Sequence, residues 1–170
     1  MSKIRVGVLR GGPSSEYDIS LQTGSTVLKG LAHQKFEDKY HLYDIYIAKD
    51  GTWHMHGVPI TPAHAVGHVD VFFNALHGQY GEDGKVQQTL DDYHARYTGS
   101  GVLASAVGMN KALTKSIFKN HGIKTPQYIV FENNDAEIQR NPDTLARYAE
   151  TIFRSFRLSS HFFLHSGCTF

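Results

Sequence analysis

The sequence predicts an α/β domain with a mainly parallel sheet. Two observations carry this reading. Apolar runs of strand length alternate with segments of helical period, and the junctions between them are rich in glycine. Size agrees: a chain of 170 residues with 41% hydrophobic content can bury roughly 70% of the surface its unfolded form exposes. No disulfide or metal staple is required.

Residues 3–9, Lys-Ile-Arg-Val-Gly-Val-Leu, form a short apolar run that reads as a buried strand, broken by Gly11, Gly12 and Pro13. Ser15 and Asp18 have the spacing of a capping box for a helix start. Ile19, Thr23, Val27 and Leu31 then recur every four residues, with Leu28 beside them, predicting an amphipathic helix that ends near Gly30 or His33. A second strand is expected over 41–48. Lys49-Asp50-Gly51-Thr52 supplies turn chemistry, so 53–56 should pair back on it as a hairpin.

Residues 57–68 hold Pro59, Pro62 and Gly67 and read mainly as a connection. Residues 69–76 are apolar at nearly every position, the pattern of a central parallel strand covered on both faces. Next comes His77-Gly78-Gln79-Tyr80-Gly81-Glu82-Asp83-Gly84, then Val86, Leu90 and Tyr93 at helical spacing, with Asp83 placed to cap. A glycine-rich turn at 97–101 precedes two short helices, 102–107 and 110–121, the second stopped by Gly122. A strand over 127–131, a polar stretch over 132–141 and a helix opened by Pro142 are expected after it. Composition shifts at the end: half of the ten phenylalanines fall in 153–170, and no acidic residue follows Glu150.

Charge narrows the function. The 17 basic and 16 acidic residues nearly cancel and form no block, which argues against a nucleic-acid partner. No apolar run approaches the length of a membrane helix. Cys168 is the one cysteine, and with no signal-peptide pattern the expectation is a soluble, cytoplasmic protein.

In parallel sheets ligands bind beyond the carboxyl ends of the strands. Both glycine-rich loops, 11–16 and 77–84, leave such an end, so they should meet on one edge of the domain. Gly12 permits close backbone approach, and the helix start beyond Ser14 offers N–H groups to an anion or carbonyl. Glu16 suits a helix's first turn electrostatically, or serves as a partner for an ammonium group. His77 is either a loop histidine held by nearby groups or a residue lining the ligand edge. The density of Gly78, Gly81 and Gly84 around Glu82 and Asp83 favours a ligand-facing loop.

In order along the chain stand Gly11-Gly12-Pro13-Ser14-Ser15-Glu16, Leu76-His77-Gly78 with Gly81-Glu82-Asp83-Gly84, Tyr97-Thr98-Gly99-Ser100-Gly101, and Ser105-Ala106 before Met109-Asn110-Lys111. This ordered set resembles the D-alanine–D-alanine ligases, members of the ATP-grasp enzymes, over about Lys3 to Phe131. The resemblance implies a Rossmann-like (pre-ATP-grasp) substrate domain over 1–108, an incomplete start of an ATP-grasp domain over 109–153, and an atypical tail over 154–170. It implies ATP-dependent joining of two D-alanines through an acyl phosphate, for peptidoglycan, with ATP and magnesium as the cofactors. Glu16 would hold the first D-alanine's ammonium group, His77 would line that site together with Gly12 and Ser14, and Lys111 would meet nucleotide phosphate.

The sequence departs from the family at Asn110, where Asp is usual, at Gln88, where Gly follows Gln, and at Asp91, where Glu is usual. The family's magnesium ligands and much of its nucleotide clamp have no counterpart here. The resemblance therefore implies a ligase truncated or frameshifted near residue 156, inactive alone, with a non-catalytic binding or homodimerisation domain as the alternative. Two further classes fit less well. The glycines miss the dinucleotide fingerprint G-x-G-x-x-G. Among the 11 histidines, His54-x-His56, His64-x3-His68 and His161-x3-His165 with Cys168 offer metal-ligand types without specifying one site.

Overall fold

The structure is a computed structural model that describes residues 2–126 together with Tyr128, Val130, Asp143 and Arg147. It divides into two compact units, residues 1–114 and 115–170. The first is built on a five-stranded sheet in the order β4-β3-β2-β1-β5. Strands β1 (Ile4–Gly11), β2 (Tyr40–Ile47) and β5 (Val71–Asn74) are parallel, while β3 (Trp53–Met55) and β4 (Val58–Ile60) extend β2 antiparallel.

Alternation along β1 divides the core between two faces. Val6 and Val8, with Ala75 after β5, form one buried cluster, against which Val27, Leu28 and Leu31 of α1 (Tyr17–Leu31) are packed. Leu9 turns to the other face and joins Ile45, Ile47, Trp53, Phe72, Val86 and Leu90, covered by α2 (Pro62–His68) and α3 (Lys85–Asp92). Phe72, Leu9, Ile45, Ile47 and Leu90 are all under 2% exposed. Each such side chain contributes roughly 1.5–3 kcal/mol relative to exposure.

Several elements differ from the sequence expectation. Residues 57–68 are not a connection but hold β4 and α2. His56 and Gly57 both take positive φ, 53° and 78°, which closes a tight hairpin onto β4. Thr61 then caps α2, its Oγ1 accepting from the His64 N–H at 3.2 Å, with Pro62 at the first position. The run 69–76 is strand only over Val71–Asn74 and ends the sheet order; β1, paired with β2 and β5, is the middle one of the three parallel strands. The outer edge of β5 is covered all the same. Phe72 exchanges backbone hydrogen bonds with Arg96 and Thr98, at 2.8 and 2.9 Å.

The capping box does not form. Glu16 is the N-cap of α1, and Ser14 rather than Ser15 accepts its N–H. The turn closed by Tyr17 N–H on the Ser14 carbonyl sets the helix start one residue later than the box requires. The buried stripe of α1 is also shifted: Ser20 and Gly24 are buried while Ile19 is 54% exposed. Small residues win there because the helix lies close to β1. A methyl added at Gly24 would stand 2.6 Å from Arg10 Cβ.

Asp83 likewise sits one residue outside the α3 cap, which is Gly84 at φ 97°, although its carboxylate accepts the Lys85 N–H. Tyr93 faces solvent, and Gln87 takes a buried place instead.

Two short helices follow, α4 (Val102–Met109) and α5 (Lys111–Asn120). Asn110 caps α5 through its side-chain oxygen, which accepts from Leu113 N–H at 3.0 Å, a cap that Asn supplies as well as Asp does. In the second unit, Lys115 donates to the Pro126 carbonyl at 3.2 Å, and its ammonium lies 4.8 Å from the Tyr128 ring centre. The expected strand 127–131 falls on residues of which Tyr128 and Val130 alone are described. The helix after Pro142 and the tail 154–170 lie outside the described residues, apart from Asp143 and Arg147, which are helical. Among the described residues no helix is long and apolar enough to cross a membrane.

Candidate substrate-binding edge

The site is built where β1 and β5 run out side by side. Gly11 ends β1 at φ 90°, and a Cβ there would lie 2.3 Å from the Ile47 carbonyl oxygen. Gly12, at φ 93°, donates its N–H to the same carbonyl at 2.8 Å. This sharp exit, open only to glycine, turns the chain over the end of β2. Ser14 then folds back through its N–H to the Gly12 carbonyl at 2.9 Å, and its hydroxyl accepts the Glu16 N–H at 3.1 Å.

The second loop is fixed from within. Gly78 N–H donates to Glu82 Oε2 at 2.8 Å, and Glu82 N–H returns to the Gly78 carbonyl at 2.9 Å. The Gly81 carbonyl accepts two amide donors, Asn74 Nδ2 at 2.9 Å and Gln87 Nε2 at 2.8 Å. Asn74 Oδ1 meanwhile accepts the Leu76 N–H. Gly81 has no room for a side chain, since a Cβ would meet Leu76 Cβ at 2.4 Å.

The two loops touch. A Cβ on Gly78 would fall 2.7 Å from Ser14 Oγ and 3.0 Å from Glu16 Oε1, so the Gly78 backbone lies directly against both. Beneath them Ser20, fully buried on α1, accepts the Gly11 N–H and donates to the Ala75 carbonyl, each at 2.8 Å. One hydroxyl thus ties the carboxyl end of β1 to that of β5.

His77 extends toward α1, where a ring nitrogen, Nε2, shares a 2.8 Å hydrogen bond with Thr23 Oγ1. Its Nδ1 stands 4.0 Å from Glu82 Oε1, at the outer limit for an ion pair. The imidazole is therefore held on a defined side of the loop by a side chain rather than by nearby backbone. Glu16 remains exposed, and the positive end of the α1 dipole opens beside it.

The structure therefore brings Gly12, Ser14, Glu16 and His77 together. Lys111 is exposed at the first residue of α5. Sequence reasoning missed Ser20, Thr23 as a histidine partner, and the Asn74–Gln87 pair of amides. Ser20 and Thr23 were legible only as positions on a helix, and no local signal marks an amide that will point at a carbonyl. Among the described residues there is no group of three or more His, Cys, Asp or Glu side chains placed to hold a metal.

A carboxylate and an imidazole stand at the joined ends of two parallel strands in an α/β domain of the open-sheet class, the edge at which such sheets usually bind ligands. The family model described as D-ala D-ala ligase N-terminus matches residues 5–65 and 57–100, and the chain belongs to that family.

A D-alanine–D-alanine ligase of Desulforamulus reducens is 40% identical over 137 residues, covering 79% of this chain and 39% of that protein. One of Burkholderia thailandensis is 38% identical over 149 residues, with 88% and 44% covered. Among solved structures, the D-alanine–D-alanine ligase of Coxiella burnetii matches with a TM-score of 0.70 at 27% identity, over 87% of this chain and 50% of that one. The matched chain spans under half the length of these curated relatives.

Proposed function

We propose that this chain supplies the D-alanine-binding portion of a D-alanine–D-alanine ligase, with residues 109–153 beginning the ATP-grasp region. The observation that carries the reading is the contact between the loops, which sets the Glu16 carboxylate and the His77 imidazole around one backbone corner at Gly78. Glu16 binds the ammonium group of the first D-alanine by a charge-assisted hydrogen bond. His77, fixed by Thr23, and the Ser14 hydroxyl close the other sides and orient the substrate carboxylate toward the nucleotide. Gly12 keeps the floor of the site free of side chains.

Lys111 would hold ATP phosphate, as a compact cation suited to spreading its charge. Bound ATP supplies the phosphoryl group that activates the carboxylate for attack by a second amine. The described residues do not fit a magnesium ion, so no step is assigned through it. The chain alone is thus expected to bind D-alanine in the cytoplasm without joining two.

The test is D-alanine binding to the 170-residue chain, followed by NMR of the Gly12, Gly78 and His77 resonances. Loss of a hydrogen bond to a charged group is worth about 1.5–3 kcal/mol, so Glu16→Gln should weaken binding about 10- to 100-fold. Unchanged affinity in that variant, or no response to D-alanine at saturation, defeats the assignment. Sustained D-alanyl-D-alanine synthesis by the isolated chain with ATP and magnesium would overturn the expectation that it is inactive alone.

A further inference from the structure

A second feature lies away from the loops, on the sheet extension. Of the three histidine spacings in the sequence, two fall on described residues, and the structure treats them differently. His54 stacks toward Tyr46, with ring centres 5.5 Å apart, whereas His56 lies 6.0 Å from Tyr43. Positions 43 and 46 of β2 point to opposite faces, so the first spacing is dispersed. His64 and His68 are brought together: one turn apart on α2, their ring centres are 4.5 Å apart at an interplanar angle of 32°.

Geometry also fixes a tautomer. His68 Nδ1 lies 2.9 Å from the His64 carbonyl oxygen. A carbonyl oxygen can only accept, so in the neutral ring Nδ1 carries the proton and Nε2 keeps its lone pair. A metal-ligating histidine is commonly oriented in this way, by donating its other N–H to a backbone carbonyl. The helix is held at its start by the Thr61 cap and Pro62, so the two rings are presented by a fixed turn. Both are exposed, with His56 and His64 lining one recess beside Met55, Val58 and Ile60.

The geometry points to a binding site for an imidazole-preferring divalent transition ion, chelated by His64 and His68, with water filling the remaining positions. Copper, nickel and zinc fit such a donor pair; magnesium, which takes oxygen ligands, does not. This site is separate from the loops at Gly12 and Gly78 and does not depend on their proposed role.

The experiment is a titration of untagged 170-residue protein with copper(II) chloride, the divalent ion such ligands bind most tightly in this series. The readout is the number of equivalents bound. The double substitution His64→Ala, His68→Ala should remove one equivalent, and each single substitution should abolish tight binding at that site. His54→Ala should leave the stoichiometry as it was. With zinc, the ring protons of His64 and His68 should shift together on the first equivalent. An unchanged number of equivalents in the double variant overturns the site, as does failure of the intact protein to bind either ion. The two positions are exposed, so circular dichroism should show all three variants at them folded, and an unfolded variant would be replaced by His68→Gln.

Discussion

Ser20→Ala is the perturbation that reads the architecture of the site edge most directly. Ser20 is 0% exposed, and its hydroxyl is shared between the Gly11 N–H and the Ala75 carbonyl, both at 2.8 Å. Alanine nearly preserves the volume and leaves a buried donor and a buried acceptor without that partner. Each such orphan costs about 1–3 kcal/mol, while alanine's better helix propensity returns about 0.5 kcal/mol.

The expected net loss is about 1.5–5.5 kcal/mol, which for a chain of this size lowers Tm by roughly 3–22 °C. Urea unfolding followed by circular dichroism should show a lower midpoint at unchanged slope. Hydrogen exchange at Gly11 should accelerate more than at Val8. Thr26→Ala is the control, because its hydroxyl makes a solvent-exposed bond to the Gln22 carbonyl; it should change stability by less than about 0.5 kcal/mol. A Ser20→Ala protein as stable as the parent would refute the reasoning, since it would mean that the strand ends do not depend on this hydroxyl.

Three other outcomes follow from the same geometry. Gly24→Ala forces a methyl to within 2.6 Å of Arg10 Cβ and 2.7 Å of its Cδ, and should destabilise by about 1–3 kcal/mol in thermal melts, despite its gain in helix propensity. Gln87→Met should be close to neutral, within about 1 kcal/mol, because the Gly81 carbonyl keeps Asn74 and the change removes a buried Oε1 that has no partner. Asn74→Leu, by contrast, leaves the Leu76 N–H without its acceptor and the Gly81 carbonyl with Gln87 alone, and should cost more in the urea assay.

The fourth concerns alkaline pH. The hydrogen bond to Tyr46 and partial desolvation push the Tyr17 hydroxyl up to about 12. Its folded value lies above its unfolded one, so its contribution to stability is complete below pH 10 and is lost as pH rises toward 12. Ultraviolet titration of Tyr46→Phe should return Tyr17 toward ordinary tyrosine behaviour; an unmoved titration would contradict the assigned cause.

Period and turn chemistry carry much of this protein. The apolar run in β1, the Asp50-Gly51 hairpin and the four-residue spacing of Val27 and Leu31 each report a local preference that the tertiary structure keeps. The two glycine loops were legible as a pair because parallel strands place their carboxyl ends together whatever the detail of the sheet. Glu16 and His77 could be named for that reason. The motif order added the family, which spacing by itself does not give.

The remaining features depend on what lies across from a residue. Ile19 has the spacing of a core position but faces solvent, because α1 lies so close to Arg10 that Ser20 and Gly24 suit the contact better. The segment 57–68 looks like a connection because prolines and glycines punctuate it. Positive φ at His56 and Gly57, and a cap at Thr61, nevertheless make a strand and a helix of it.

Sequence by itself determined which strand ends the two glycine-rich loops leave and which residues stand in those loops. Tertiary structure alone decided which side chains share a hydrogen bond: Ser20 across two strands, Thr23 on His77, Asn74 and Gln87 on one carbonyl, His68 on the turn that brings it to His64. The physical reason is range. Periodicity and capping act within a turn or two of chain, while a buried polar atom is satisfied by whatever the fold brings within about 3 Å, from any distance in sequence.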